Sequence, residues 1–252
     1  MRRAFCQVMF VLAATCIAAT SSFAFTTVFT RTYPLHSGGR FQLENVNGSV
    51  QVEGWERQEV EIYAVKTSVR DPRDADLVKI EIESGVDGVI VHTRYPQGQG
   101  VDVAVEYRVH VPYRVLLKGV ETVNGSVVVR GVEGGGELHS VNGNVEVLDS
   151  AGRFSARTTN GNLRLELRRL PDGDPMALET VNGSVLLALP PDAGADLDVR
   201  SMNGDFHSDL PVETPGSLST RTLHGRLGAG GAEVLLRTIN GGIRVVLERP
   251  GV

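Results

Sequence analysis

The sequence predicts an all-β chain: a single β-solenoid of about 20-residue coils with Asn-Gly corners and irregular N-terminal coils. Three observations predict it. Seven Asn-Gly pairs recur beside apolar residues, at Asn47-Gly48, Asn124-Gly125, Asn142-Gly143, Asn160-Gly161, Asn182-Gly183, Asn203-Gly204 and Asn240-Gly241, and His224-Gly225 keeps the Gly of an eighth. From Asn124 onward the steps are 18, 18, 22, 21, 21 and 16 residues, too short for a helical hairpin repeat and suited to one solenoid coil. The residues after each Asn alternate apolar and variable, the period-two mark of a strand with one buried face.

Residues 1–24 read as a secretory signal peptide. Arg2 and Arg3 supply the positive end, residues 4–19 are mostly apolar, and Ser22-Phe23-Ala24 offers the small residues of a cleavage site. The apolar run is short for a membrane span of about 20 residues. Both cysteines, Cys6 and Cys16, fall inside it. The mature chain from Phe25 is therefore expected to have no disulfide and no thiol nucleophile, and to rely on burial and ladder hydrogen bonds. It keeps 23 basic and 30 acidic residues, a net charge of −7, which argues against nucleic acid as a partner. No second long apolar run suggests a membrane span in the mature chain.

Residues 25–119 are expected to be an irregular N-terminal β region that continues or caps the solenoid. The 77 residues from Asn47 to Asn124 hold strand-like runs at 60–65, 77–82, 89–92 and 101–111. Asp71-Pro72-Arg73-Asp74 and Tyr95-Pro96-Gln97-Gly98 break them.

Residues 120–252 are the regular repeat. Three residues after the Asn stand Val50, Val127, Val145, Leu163, Val185, Phe206, Leu227 and Ile243, and five after it Val52, Val129, Val147, Leu165, Leu187 and Val245. Four before it, Val120, Leu138, Ala156, Leu178, Val199 and Leu236 are expected to face inward. Two before it is a hydroxyl column: Thr122, Ser140, Thr158, Thr180, Ser201, Thr222 and Thr238, with Asn45 in the first unit. Apolar residues at both −4 and −1 break strict alternation, so either the hydroxyls are buried or a bulge sits at the corner. Asn-Gly itself has two readings. It can close a two-residue hairpin, or turn a solenoid corner through left-handed backbone, with the Asn amides stacked and hydrogen-bonded along the axis. Regular spacing favours the corner.

The unit Glu44-Asn45-Val46-Asn47-Gly48-Ser49-Val50, the following Glu53-Gly54-Trp55 and Val60-Glu61-Ile62, Val109-His110-Val111-Pro112, and the later Thr-Val-Asn-Gly-Ser-Val units together resemble the bacterial "putative adhesin" family of exported β-strand-repeat proteins. That family is related to the toast-rack domains of cell-envelope stress systems. The resemblance spans roughly residues 25–247. It implies a β-solenoid-like fold, export and a role at the envelope, and it brings no catalytic residues.

Catalytic chemistry finds little support. Polysaccharide hydrolysis needs two facing carboxylates; the densest acids, Asp196, Asp198, Asp205 and Asp209, read as a solvated strand and turn. Gly134-Gly135-Gly136 lacks the rest of a calcium-binding nonapeptide and reads as a loose turn, and no Gly-x-Ser-x-Gly elbow exists. His224 fills a corner more readily than it binds metal. No cofactor or metal is expected. One surface feature stands out: Arg200, Arg221 and Arg237, three residues before successive corners, form a stripe suited to anionic polymer or sugar acid. The expected function is a non-enzymatic exported envelope protein, adhesin-like or scaffold, in the periplasm, at the cell surface or secreted. The alternative is an envelope-stress or assembly component that binds a protein partner, for instance by strand addition at an open end; a polysaccharide-active enzyme is the last reading.

Overall fold

The computed structural model describes residues 25–98, 100–171, 173, 175–213 and 222–248; the expected signal peptide lies outside them. The chain runs through β1 (Phe25–Pro34), β2 (Arg40–Glu44), β3 (Val50–Trp55), β4 (Glu59–Ser68), α1 (Asp74–Leu77), β5 (Lys79–Ser84), β6 (Gly88–Arg94) and β7 (Val103–Pro112). There follow β8 (Leu116–Asn124), β9 (Val127–Arg130), β10 (Gly136–Asn142), β11 (Val145–Ala151), β12 (Phe154–Asn160), β13 (Leu163–Arg169), β14 (Met176–Asn182) and β15 (Val185–Leu189). The last strands are β16 (Ala195–Asn203), β17 (Phe206–Ser208), β18 (Val212–Glu213), β19 (Thr222–Leu227), β20 (Ala232–Asn240) and β21 (Ile243–Leu247).

These strands make two long mixed sheets. The first has the order β1-β4-β7-β3-β9-β11-β13-β15-β21-β17, and the second β18-β19-β16-β20-β14-β12-β10-β8-β2-β6-β5. Each strand that leads into an Asn-Gly pair (β2, β8, β10, β12, β14, β16, β20) lies in the second sheet, and each strand that leaves it (β3, β9, β11, β13, β15, β17, β21) lies in the first. None of the seven pairs therefore closes a hairpin, because the strands it joins belong to different sheets. Within each sheet these strands are parallel and in register, with Asn124, Asn142, Asn160, Asn182, Asn240 and Asn203 in one row and Asn47 bridged to Asn124.

Period-two patterning explains the core. Residues at −4, +3 and +5 from the Asn, such as Leu178, Val185 and Leu187, are buried between the sheets in the regular layers, except that Phe206 and Ser208 of the Asn203 layer are partly exposed. The break in alternation resolves in favour of buried hydroxyls at six of the seven positions: Thr122, Ser140, Thr158, Thr180, Ser201 and Thr238 are each at most 4% exposed, whereas Thr222, at the start of β19, is exposed. The apolar residues at −1 turn outward instead, with Val123 38%, Val181 36% and Met202 60% exposed.

Three expectations are corrected. The layers do not stack in chain order, for β20 sits between β14 and β16, so the Asn240 layer lies between those of Asn182 and Asn203. His224-Gly225 is not a corner: it lies within β19, which runs antiparallel to β16 with His224 opposite Asp198 and Gly225 opposite Leu197. Alternating Leu223, Gly225 and Leu227 suit an ordinary strand as well as they suit a corner, and both leucines are buried. Gly134-Gly135-Gly136 is no loose turn, since a Cβ would lie 1.8 Å from the Val115 carbonyl oxygen at Gly134 and 2.4 Å from that of Arg153 at Gly135.

The two ends differ. At one end β6 and β7 add a further parallel layer beyond β2 and β3, and β5, β4 and β1 extend the two sheets antiparallel. The short α1 sits against β4 and β1, and Lys66 Nζ reaches from β4 to donate to the carbonyls of Val78 at 2.6 Å and Ala75 at 3.3 Å. At the other end β19 and β18 fold back antiparallel over β16, and the three-residue β17 ends the first sheet.

Candidate functional site

The Asn-Gly row forms a ridge along one side of the molecule, built from four columns. In the first, each Asn donates from Nδ2 to the Oδ1 of the layer before it: Asn124 to Asn47, Asn142 to Asn124, Asn160 to Asn142, Asn182 to Asn160, Asn240 to Asn182 and Asn203 to Asn240, all at 2.8–2.9 Å. In the second, the buried hydroxyls donate to the Gly carbonyl of the neighbouring layer, as Thr158 Oγ1 does to Gly143 at 2.8 Å and Thr180 Oγ1 to Gly161 at 2.9 Å. Asn45 does the same work in the first layer, its Nδ2 donating to the carbonyls of Gly48 and Val105.

The third column is glycine. The expected reason for it, a left-handed turn at both residues, holds only in part. No Asn of the row has positive φ, and Gly143, Gly161, Gly183 and Gly204 lie outside the left-handed region, whereas Gly48 (118°), Gly125 (158°) and Gly241 (150°) lie within it. Close approach of neighbouring layers is the general cause. A Cβ would come within 1.9–2.3 Å of the next layer's carbonyl oxygen at Gly125, Gly143, Gly161, Gly183, Gly241 and Gly204. The fourth column, two residues after the Asn, was not singled out from the sequence. Ser49, Ser126, Asn144 and Asn162 accept there from the backbone N–H of the next layer at 2.8–3.3 Å. The repeated Ser or Asn at that offset was the available signal.

The outer face of the second sheet carries the charged column at −3. In space it reads His92, Glu44, Glu121, His139, Arg157, Glu179, Arg237, Arg200. Arg157 pairs with Glu179, and His92 Nδ1 lies 2.9 Å from Glu44 Oε2. A shallow groove lined by Glu121, Glu137, His139, Ser155, Arg157 and Glu179 crosses this face where small residues leave space. Of the expected arginine stripe, Arg200 and Arg237 are adjacent and in register, and Arg221 lies outside the described residues. Arg200 is held by Asp198 at 2.7 Å, and this carboxylate raises the Arg200 guanidinium's pKa further. Arg237 is exposed and has no ion pair among the described residues.

The acids are dispersed by their partners. Asp196 accepts from Arg226 Nε at 3.0 Å and from the Gly231 N–H at 3.3 Å, which together hold its carboxyl below the usual range. Asp198 serves Arg200 and lies 3.6 Å from His224, and Asp209 lies 2.9 Å from His207. Asp205 follows Asn203-Gly204, its carbonyl accepting from Ile243. Trp55 is committed to packing: it stacks on His110 with ring centres 5.0 Å apart, Arg57 lies 4.8 Å from its centroid, and Nε1 donates to the Glu59 carbonyl at 2.8 Å.

Two long mixed sheets joined layer by layer through an amide ladder define an all-β repeat protein whose accessible features are faces and ridges. Residues 119–246 match the Toastrack DUF4097 family, and the chain belongs to that family. Among solved structures, it is similar to a "putative cell adhesion protein" from Clostridium sporogenes (10% identity, 88% of this chain and 100% of that one, TM-score 0.47). It is also similar to a "putative adhesin" from Bacteroides fragilis (12% identity, 87% and 97% covered, TM-score 0.40). A third is a "putative lipid binding protein" from Parabacteroides distasonis (7% identity, 86% and 96% covered, TM-score 0.29). No curated protein matches the chain. No helix among the described residues is long and apolar enough to cross a membrane.

Proposed function

We propose that this is a non-enzymatic exported protein of the cell envelope, a β-solenoid with Asn-Gly corners that binds an extended envelope ligand along one face. Residues 1–24 are its signal peptide, 25–119 its irregular end and 120–252 its regular repeat. The observation that carries the reading is the in-register column on the outer face of the second sheet, ending in Arg237 and Arg200. Parallel layers repeat about every 4.8 Å, so a polymer lying across the strands meets one charged or polar group per layer. Arg237, free of an acid partner among the described residues, is the group best placed to take an anionic substituent, since a guanidinium forks onto a carboxylate or phosphate. Family membership supports the envelope setting. The pairing of Asp196, Asp198 and Asp209 with basic neighbours supports the non-catalytic reading.

The test is co-sedimentation with isolated bacterial envelopes and their polysaccharide fractions at low and high salt, wild type beside an Arg200→Glu, Arg237→Glu double variant. Salt-sensitive binding that the variant loses is the expected result. Absence of binding by the wild type, or binding that the variant retains in full, overturns the assignment.

A further inference from the structure

The two sheets have four edges, and three of them are protected. β17 and β18 are three and two residues long. β5 is six residues, Lys-Ile-Glu-Ile-Glu-Ser, with three charges. Short strands and edge charges are the usual defences against unwanted pairing. β1 has neither. It is ten residues long, Phe-Thr-Thr-Val-Phe-Thr-Arg-Thr-Tyr-Pro, with no acid, one arginine and a proline only at its last position. It pairs along its whole length with β4 and has no strand on its other side among the described residues. None of its residues is buried, and Phe25 and Val28 are 42% and 55% exposed. A strand of β-branched and aromatic residues, held straight by one neighbour and open on the other edge, is a template for another strand.

We propose that β1 pairs antiparallel with β1 of a second copy of this chain, about a two-fold axis at Phe29, and so joins the first sheets of two molecules. The strand's own sequence argues for this occupant. In that register Phe25 faces Tyr33 of the other copy, Phe29 faces Phe29, Val28 faces Thr30 and Thr26 faces Thr32. The aromatic pairs fall on one face and the β-branched pairs on the other, the combinations that stabilise neighbouring strands. The strand carries no acid, so no acid–acid pair forms, and Arg31 faces Thr27 rather than its own copy. Arg31 now folds back, its guanidinium 5.2 Å from the Phe29 ring centre and bonded to the Thr30 carbonyl at 2.9 Å, and it swings aside when the second strand docks. One strand pair buries an area at the low end of specific interfaces, so the dimer is reversible and depends on concentration.

Sedimentation velocity across a concentration series, up to the solubility limit, tests the proposal. Wild type is expected to shift from monomer to dimer, and Phe29→Lys, which puts two ammonium groups opposite each other, to remain monomeric. Phe29 is half-buried and packs against the core, so this variant should keep its far-UV spectrum but melt somewhat lower. Val28→Lys, at a 55% exposed position of the same strand, should also remain monomeric and keep the wild-type melting curve, and a Val28→Lys that dimerises like wild type would refute the pairing. Cross-linking supplies a readout that does not depend on weakening the contact. In the chain from Phe25, which has no cysteine of its own, Phe29→Cys should give a disulfide-linked dimer under mild oxidation. Thr32→Cys should not, because two Thr32 residues lie about 20 Å apart in this register at about 3.4 Å per residue. A wild type that stays monomeric throughout, or equal cross-linking at both positions, overturns the proposal and leaves the edge to a strand of a different protein.

Discussion

Gly183→Ala tests the account of the ridge most directly. A Cβ at Gly183 would lie 1.9 Å from the Gly161 carbonyl oxygen and 2.6 Å from its carbon. Ordinary contact needs more than 1 Å of additional separation, and the two layers are held together there at several points. Thr180 Oγ1 donates to that same carbonyl at 2.9 Å, Asn182 Nδ2 to Asn160 Oδ1 at 2.8 Å, and the Ser184 N–H to Asn162 Oδ1 at 2.8 Å. Loss of two such bonds costs about 2 kcal/mol at about 1 kcal/mol each. Residual crowding adds about 1–3 kcal/mol, and the stiffer unfolded chain returns about 0.4–1 kcal/mol. The net is a loss of about 3 kcal/mol, or about 6–12 °C in Tm for a chain of this size. Thermal unfolding by circular dichroism reads it, with Gly85→Ala as control, because Gly85 has nothing within 4 Å of a Cβ and no positive φ. Gly183→Asn carries the same Cβ at a position that has no positive φ, so it should melt as low as the alanine variant. An unchanged Tm for Gly183→Ala, or rescue by asparagine, refutes close approach as the cause.

Three further outcomes are expected. Thr158→Val removes the donor to the Gly143 carbonyl and should cost about 1–2 kcal/mol in urea unfolding, whereas Thr158→Ser should be nearly neutral. Burial pushes the Tyr95 hydroxyl up to about 12 and raises that of Tyr107, which shares a 2.7 Å hydrogen bond with Thr93. Unfolded tyrosine ionises first, so stability should be full below pH 10 and fall as the pH rises towards 12, with a shallower fall in Tyr95→Phe; Lys66, whose pKa burial lowers, acts in the opposite sense in both proteins. Asparagine deamidation requires the following N–H to attack the side-chain amide; Gly48, Gly125, Gly143, Gly161, Gly183 and Gly241 commit theirs to a neighbouring Asn carbonyl at 2.8–3.0 Å, and Gly204 has no such partner among the described residues. Peptide mass spectrometry after alkaline incubation should therefore find Asn203 converted first.

Much of the ridge was legible because a parallel in-register stack repeats each contact at a fixed offset. A column of like residues in the sequence is a column in space, as the Asn ladder and the hydroxyls at −2 show. What one unit shares with all others cannot specify which unit it neighbours. Any Asn-Gly layer offers the same donors and acceptors to any other, so the insertion of the Asn240 layer between those of Asn182 and Asn203 left no mark in the motif. His224-Gly225 failed for a related reason. Its flanking leucines satisfy the buried face of β19 whether the chain turns or runs straight, and the antiparallel pairing with β16 decided the matter.

The same insertion changes the electrostatics of the proposed binding face. Stacked in chain order, the column would run Glu179, Arg200, Arg221, Arg237, three like charges at successive layers, which is unfavourable without counter-ions. With the Asn240 layer moved inward, Arg237 stands between Glu179 and Arg200, and Arg200 turns to Asp198 on its own strand at 2.7 Å. Arg157, Glu179 and Arg237 therefore alternate in sign, and Arg237 has no ion pair among the described residues. One free cation among the described residues of this column gives weak attraction at one layer. Strong binding to an anionic polymer then requires the contact to be repeated, and a second copy joined through β1 would supply a second face on the same sheet system. If the wild type binds envelopes and Phe29→Lys binds them less tightly while its Arg237 is intact, avidity through the dimer is the explanation; equal binding by the two would mean that one face suffices.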